Sequence, residues 1–505
     1  MHATLTSTTI RGPFAPARAE PLSGRRVHMI GIGGSGMSGA AALLRDLGAT
    51  VSGSDLGGFD GLGSLVQSGV RVAIGHDLKN IDPSVELVIL SAAVPDTNPE
   101  WAEAKRRGLP VMKYADLLGS LMERRIGVAI AGTHGKSTTT AMTAFLFREA
   151  DLSPTFLIGA RSGQLGGGSG VGKGPHFIVE SCEFDRSFLR LSPRQAAILN
   201  IEPDHLDCYQ NLDDIAAAFG DFAARVDGTG FLICNGDDPL ARRAASRCTG
   251  KVETFGDAED SDWRAEQWIR DSCGFRFDVT YKDEAYLSTR LSVAGRHNVR
   301  NALAAIALAH HAGVEAPRIA DILPRFEGVY RRLTWRGEGR GVTVLDDYAH
   351  HPTEIRVTIE AARSRYSPKR TWVVFQPHQY SRTRHLMAEF AESFSEADEI
   401  LIPDVYQARE ASGPLGRQAS EELVSRIGRC GRRARYVESL SAVTEYLTNH
   451  VVDGDLVMTM GAGDVWKVAD ELVERLCGSD RARRAARAAD LVSTGGACAI
   501  PVSAA

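Results

Sequence analysis

The sequence predicts an α/β protein made of three successive units, each a parallel sheet flanked by helices. Three observations carry this. An apolar strand, a glycine loop and a helix follow one another at Val27–Leu47 and again at Ile126–Ala150. A third series, "GVTVLDDYA", "TWVVFQPH", "EILIPDVY" and "GDLVMTMGAG", sets short β-rich runs before helical stretches. The chain of 505 residues is long enough for about three domains at roughly 150 residues each.

The first 24 residues, rich in Pro, Ala, Thr and Ser, read as a flexible leader. The first unit, 25–123, alternates "VHMIGIG", "MSGAAALLRDLG", "TVSGSD", "LGSLVQSG", "VRVAIG" and the buried strand "VELVILSAAV", and closes with "YADLLGSLMERR". The second, 124–328, opens on "IGVAIAG" and the helix "STTTAMTAFLFREA". It continues through "HFIVES", "QAAILNI", "GFLICNGDD" and the amphipathic helix "NVRNALAAIALAHHAG". Its glycine-rich stretch "RSGQLGGGSGVGKGP" reads as a mobile surface loop. The third unit is 329–477, and 478–505 reads as a flexible tail.

A net charge of −5 gives no general attraction to nucleic acid or anionic lipid. No apolar run approaches the ~20 residues needed to span a bilayer, and the N-terminus lacks the apolar core of a secretory signal. The 8 cysteines lack C-x-x-C or metal-knuckle spacing and read as free thiols of a cytoplasmic protein.

The first glycine loop, "GIGGSGMSG", presents Gly31, Gly33, Gly34, Ser35 and Gly36 at a strand-to-helix turn, a cradle for a diphosphate. Read alone, with Asp55 ending the next strand, it fits an NAD-dependent dehydrogenase. The second loop, "AGTHGKSTTT", argues otherwise. Gly132 and Gly135 let backbone N–H groups turn around a phosphate, Lys136 supplies a cation for the β/γ oxygens, and Ser137 can ligate Mg²⁺. It departs from G-x-x-x-x-G-K-[ST] in having Ile130 at the first glycine. Acids and a histidine follow at strand ends: Glu180, Glu183 and Asp185 in one segment, Asp204, His205 and Asp207 in another. Metal ligands of a nucleotide site stand at such places.

In this order, "GTHGKST", "VESCEFDRSFL", "NIEPDHLD", "GRHNVRNALAA", "DDYAHHPTE", "FQPHQYSRTR" and "TMGAGDVW" resemble the Mur ligase family over residues 25–475. The resemblance implies a Rossmann-like UDP-binding domain, a central P-loop ATPase-like domain and a C-terminal Rossmann-like domain for the amino acid. It also implies an activity: ATP-dependent joining of L-alanine to UDP-N-acetylmuramate through an acyl phosphate, with Mg²⁺.

By the same resemblance, the first glycine loop binds the UDP-sugar. Gly132, Thr133, His134, Gly135, Lys136, Ser137 and Thr138 hold ATP, with His297, Asn298 and Asn301 on its adenosine side. Lys136, Glu180, His205, Arg332 and Asp347 are the implied catalytic residues, and Ser137, Glu180 and His205 the metal-linked ones. Tyr348, His350, His378 and Arg382 would form the amino-acid pocket, with His351 beside it and Arg382 as carboxylate anchor. The family pattern carries arginine where this chain has Gln379, which removes one carboxylate contact.

Because an acyl phosphate hydrolyses in water, the last domain is expected to close over ATP, with a hinge near 328–332. The alternatives are a ligase that recycles murein tripeptide on the same sugar nucleotide, and, outside the family, the dehydrogenase or an ATP-gated binding module.

Overall fold

The computed structural model describes residues 22–59, 61–205, 208–271, 274–407 and 415–478. The leader up to residue 21, Asp207 and the tail from 479 lie outside the described residues. The chain packs as two compact units, one ending at Tyr330 and one beginning at Arg331.

The first unit holds two sheets. Its N-terminal sheet has five parallel strands in the order Arg71–Ile74, Thr50–Asp55, Arg26–Ile30, Leu87–Leu90, Val111–Lys113. The chain therefore reverses direction across the sheet beside Arg26–Ile30, whose C-terminal end feeds the first glycine loop. Ligands of open parallel sheets bind at such a switch point.

The second sheet has ten strands, with Ile126–Ala131 flanked by Gln195–Ile198 and His176–Glu180 in parallel register. The second glycine loop and the two acid-bearing segments, after His176–Glu180 and after Gln195–Ile198, thus emerge from neighbouring strand ends. Three antiparallel strands, Trp263–Asp271, Gly274–Tyr281 and Glu284–Leu291, extend one edge. The helix Lys136–Glu149 packs on the helix Arg296–His311, whose alanines allow close approach and whose 301–309 stretch is wholly buried.

The glycine-rich stretch differs from the loop expected. Gly167–Gly170 pairs antiparallel with Thr155–Ser162 at the sheet's other edge. Glycine is required there by proximity: a Cβ on Gly172 would lie 1.9 Å from the Ser153 carbonyl oxygen, and one on Gly168 2.8 Å from that of Ala160. The helix Ser35–Asp46 rests on this edge, with Gly39 against Leu157. One hydrophobic cluster runs from Met29 and Ile89 of the first sheet to Phe188 and Phe219, on the helical segments Phe184–Arg190 and Leu212–Ala223 that flank the second.

The second unit is a six-stranded sheet in the order Thr334–Gly339, Val342–Asp347, Asp455–Met460, Arg370–Phe375, Glu399–Ile402, Arg433–Tyr436. Only its first strand is antiparallel. The strands Val342–Asp347 and Asp455–Met460 are almost wholly buried, as expected of a sheet covered on both faces.

Candidate active site

In the N-terminal sheet, Gly31 turns with φ 78° and its N–H donates to the Ser54 carbonyl at 2.9 Å. Gly33 donates to Asp55 Oδ2 at 2.7 Å, so the acid at the strand end secures the loop directly. Gly34 precedes the helix that starts at Ser35. A Cβ at Gly36 would lie 2.6 Å from the Tyr114 hydroxyl. Tyr114 also feels the charge of Glu180, and with burial this raises its pKa, so the phenol keeps its proton. Beside it, Lys113 pairs with Asp185 at 2.9 Å. The residue pair Lys113–Tyr114 therefore joins the first glycine loop to the segment after His176–Glu180. Sequence reading passed over Tyr114, since nothing in its local pattern distinguishes it.

The phosphate loop is latched to the end of Gln195–Ile198. His134 N–H donates to Asn200 Oδ1 at 2.7 Å, Asn200 Nδ2 donates to the His134 carbonyl, and Thr133 Oγ1 accepts from Glu202 N at 2.8 Å. Gly135, in the left-handed region at φ 83°, begins the helix that carries Lys136, Ser137 and Thr138. Its missing side chain matters: a Cβ would meet Asn301 Oδ1 at 2.7 Å. Asn301 in turn donates to Asn298 Oδ1 at 3.0 Å, and Asn298 to the Ala294 carbonyl. The start of Arg296–His311, with His297, is thereby brought to the phosphate loop from some 160 residues away in sequence.

Lys136 Nζ lies 2.8 and 3.0 Å from the two carboxylate oxygens of Glu183. Burial alone would lower the lysine pKa; the Glu183 charge outweighs it and the net shift is upward. Glu180 turns elsewhere, its Oε2 accepting from Gly159 N at 2.7 Å. His205 Nε2 is 3.8 Å from both Glu183 and Asp204. Ligand atoms of Glu183, Asp204 and His205 lie within 4.8 Å of one another. The two carboxylates beside the hydroxyl-bearing loop are the donors that suit a hard divalent cation. Of the three metal-linked residues expected from sequence, His205 belongs to this group; Glu183 and Asp204 complete it.

The second unit gathers its own set. Arg331, in the left-handed region at φ 58°, donates to Asp346 at 3.0 Å and to the Gly461 and Gly463 carbonyls. Arg332 faces Glu354 at 3.5 Å, and its guanidinium lies 5.4 Å from the Tyr348 ring centre. Asp347 is buried and accepts from Leu333 N and Ala349 N. Burial pushes its pKa up to about 6 against the opposing charge of Arg332.

Tyr348, His350 and His378 form a chain of rings, 5.4 and 6.2 Å between centres, and His378 stacks on Tyr406. Arg382 stands in the helix Tyr380–His385 that follows His378, and its charge reaches Tyr348. Gln379 has φ 67°, and its N–H donates to the Tyr406 carbonyl while its own carbonyl accepts from Thr383. Its backbone thus shapes the turn into Tyr380–His385. His351 caps the helix Pro352–Tyr366.

The profile of the Mur ligase family, catalytic domain, matches residues 26–126, the Mur ligase middle domain 130–309, and the Mur ligase, glutamate ligase domain, 331–463. A UDP-N-acetylmuramate–L-alanine ligase from Caldanaerobacter subterraneus is 39% identical over 452 residues, 89% of this chain and 97% of that protein. Among solved structures, a UDP-N-acetylmuramate-alanine ligase from Thermotoga maritima is similar with TM-score 0.78 and 28% identity, over 89% of this chain and 98% of that one. A murein peptide ligase from Psychrobacter arcticus follows with TM-score 0.70 and 25% identity, over 90% and 99%.

Proposed function

Since the chain belongs to the Mur ligase family, we propose that it joins L-alanine to the lactyl carboxylate of UDP-N-acetylmuramate at the expense of ATP. The products are UDP-N-acetylmuramoyl-L-alanine, ADP and phosphate, a step of peptidoglycan precursor synthesis. One observation carries the reading most directly. A diphosphate-type glycine loop and a phosphate loop with its lysine share one compact unit, with Tyr114 between Gly36 and the Glu180 segment. A dehydrogenase has no use for the second loop.

The chemistry requires a leaving group, because an amine does not displace oxide from a carboxylate in water. Transfer of the γ-phosphoryl group to the lactyl carboxylate makes an acyl phosphate. Attack by the alanine amine then gives a tetrahedral centre that collapses to amide and phosphate. Charge gathers on phosphoryl oxygens in both steps, and preorganised cations stabilise it. Lys136 and Arg332 are assigned this task, Gly132–Thr138 the phosphates, and His297, Asn298 and Asn301 the adenosine side.

Mg²⁺ would be held by Ser137 and by carboxylates and imidazole drawn from Glu180, Glu183, Asp204 and His205; bound there, it would neutralise phosphate charge. Gly31, Gly33, Gly34, Ser35 and Gly36 are assigned to the UDP diphosphate, and Tyr348, His350, His378 and Arg382 to alanine, with Arg382 as the fork for its carboxylate. The domain division 25–123, 124–328 and 329–477, with closure about 328–332, belongs to the same reading. No described helix is long and apolar enough to cross a membrane, and the described cysteines are free, which supports a cytoplasmic assignment.

The test is phosphate release with ATP, Mg²⁺ and UDP-N-acetylmuramate against alanine, glycine, serine and the murein tripeptide. Alanine is expected to give the highest kcat/KM. Turnover with alanine no higher than the blank refutes the assignment, and preference for the tripeptide replaces it with the recycling activity.

A further inference from the structure

The phosphate-loop lysine already has an anion. Lys136 Nζ donates to both oxygens of Glu183 and to the carbonyls of Gly132 and Thr133. The pair is nearly closed to water, with the Glu183 side chain 3% exposed and that of Lys136 12%. Glu183 is itself fixed in place: its carbonyl accepts from the Tyr209 hydroxyl at 2.6 Å and from Arg186 N at 2.9 Å. Asp185 and Arg186, both in the left-handed region, turn the chain sharply just beyond it. The other ionisable groups nearby are Glu180, whose charge reaches Lys136, His205 at 3.8 Å from Glu183, and Asp204, whose ligand atom lies within 4.8 Å of that of Glu183.

An ammonium group has three protons, and here carboxylate and carbonyl oxygens take them all. A terminal phosphate cannot add to this arrangement; it has to replace part of it. We propose that Glu183 is the counter-ion that holds Lys136 in the nucleotide-free loop, in the place that the γ-phosphate of ATP takes, so that nucleotide binding exchanges one anion for another. The proposal rests on the reading that ATP binds at this loop. It makes Glu183 a positioning residue: it keeps a buried ammonium compensated before substrate arrives, and the measured ATP affinity is what remains after the Lys136–Glu183 pair is broken.

Breaking a buried ion pair by removing one partner leaves the other charge uncompensated. Glu183→Gln should therefore destabilise the ligand-free protein more than the ATP-bound one, and by linkage ATP should bind more tightly. Calorimetric titration of full-length protein in EDTA is expected to show ATP affinity about tenfold higher in Glu183→Gln than in the parent. ADP, without the γ-phosphate, should gain clearly less. The ligand-free melting temperature should fall, and its rise with saturating ATP should exceed that of the parent.

Unchanged or weaker ATP affinity overturns the proposal, and an equal gain for ADP overturns the γ-phosphate assignment. If Glu183→Gln does not fold, Glu183→Asp lengthens the pair and should show a smaller gain; no gain there is equally fatal. Parent protein whose ATP binding is absent, or unaffected by Lys136→Ala, would instead refute the ATP-site reading on which this rests.

Discussion

Arg331 and Asp346 form an ion pair at 3.0 Å in which the carboxylate is wholly shielded from solvent, while the next residue, Arg332, faces Glu354 at 3.5 Å and lies over the Tyr348 ring. Two adjacent arginines thus have separate duties. Arg331→Ala removes the partner of a buried charge and three hydrogen bonds, and should cost about 3 kcal/mol or more of stability. Arg332→Ala should keep the parent melting temperature and lower kcat by about 10²-fold, the usual range for loss of one charge-stabilising donor. Thermal melts with steady-state kinetics on both variants check this; a reversed pattern would exchange the two roles.

Asp347 should impose a limb on the pH dependence. Its folded-state pKa of about 6 lies above the ordinary 3.8, so the folded protein holds this proton more tightly than the unfolded chain. Its ionisation therefore costs stability progressively as pH rises from about 3.8 to 6, and the full cost applies above that. If the ionised carboxylate serves Arg332, kcat should fall on the acid side with an apparent pKa near 6. Asp347→Asn should be slow and should lack that limb; a limb that survives in the variant belongs to another group.

Glu100 should matter for stability alone. It is fully buried and accepts from Ser54 Oγ, Asn80 Nδ2 and Asp77 N, with His28 Nε2 at 3.2 Å. Burial would raise its pKa, but these partners together bring it from 4.5 down to about 2. The contribution is complete above about 4.5 and lost as pH falls towards 2, and should amount to a few kcal/mol at neutral pH. Glu100→Gln should melt well below the parent at pH 7, with the gap narrowing between pH 5 and 3. A gap independent of pH would mean that packing rather than charge is lost.

Lys136→Ala should abolish turnover while UDP-N-acetylmuramate still binds, because the lysine belongs to the second loop and the sugar nucleotide is assigned to the first. Equilibrium binding of the sugar nucleotide to the variant decides this; loss of both would mean that the two loops are wrongly assigned.

Tyr114→Phe removes only a hydroxyl that lies against the start of the Ser35–Asp46 helix. The KM for the sugar nucleotide should rise about tenfold, as for one hydrogen bond to a charged group, with the KM for ATP unchanged. Equal effects on both substrates would place the hydroxyl's influence on Glu180 instead.

Local sequence determined the parts of this protein that local physics controls. Glycine, lysine and serine after an apolar strand give the strand–turn–helix that a phosphate loop requires, because the turn has positive φ at Gly135 and the helix start supplies the N–H groups. Strand and helix periodicity likewise marked most of the parallel strands, but not the antiparallel ones from Trp263 to Leu291. Tertiary structure alone decided which side chains meet. That Glu183 rather than Glu180 faces Lys136 depends on a strand end and a left-handed turn at Asp185–Arg186, and carboxylates three residues apart look alike in sequence. That Asn301 reaches Gly135, and that Arg331 pairs with Asp346 while Arg332 faces Glu354, depends on contacts between distant segments. The Gly167–Gly170 edge strand was unreadable for the same reason: glycine signals a flexible loop to local statistics, and only the neighbouring Ile158–Ala160 backbone, too close for a Cβ on Gly168, shows why it is there.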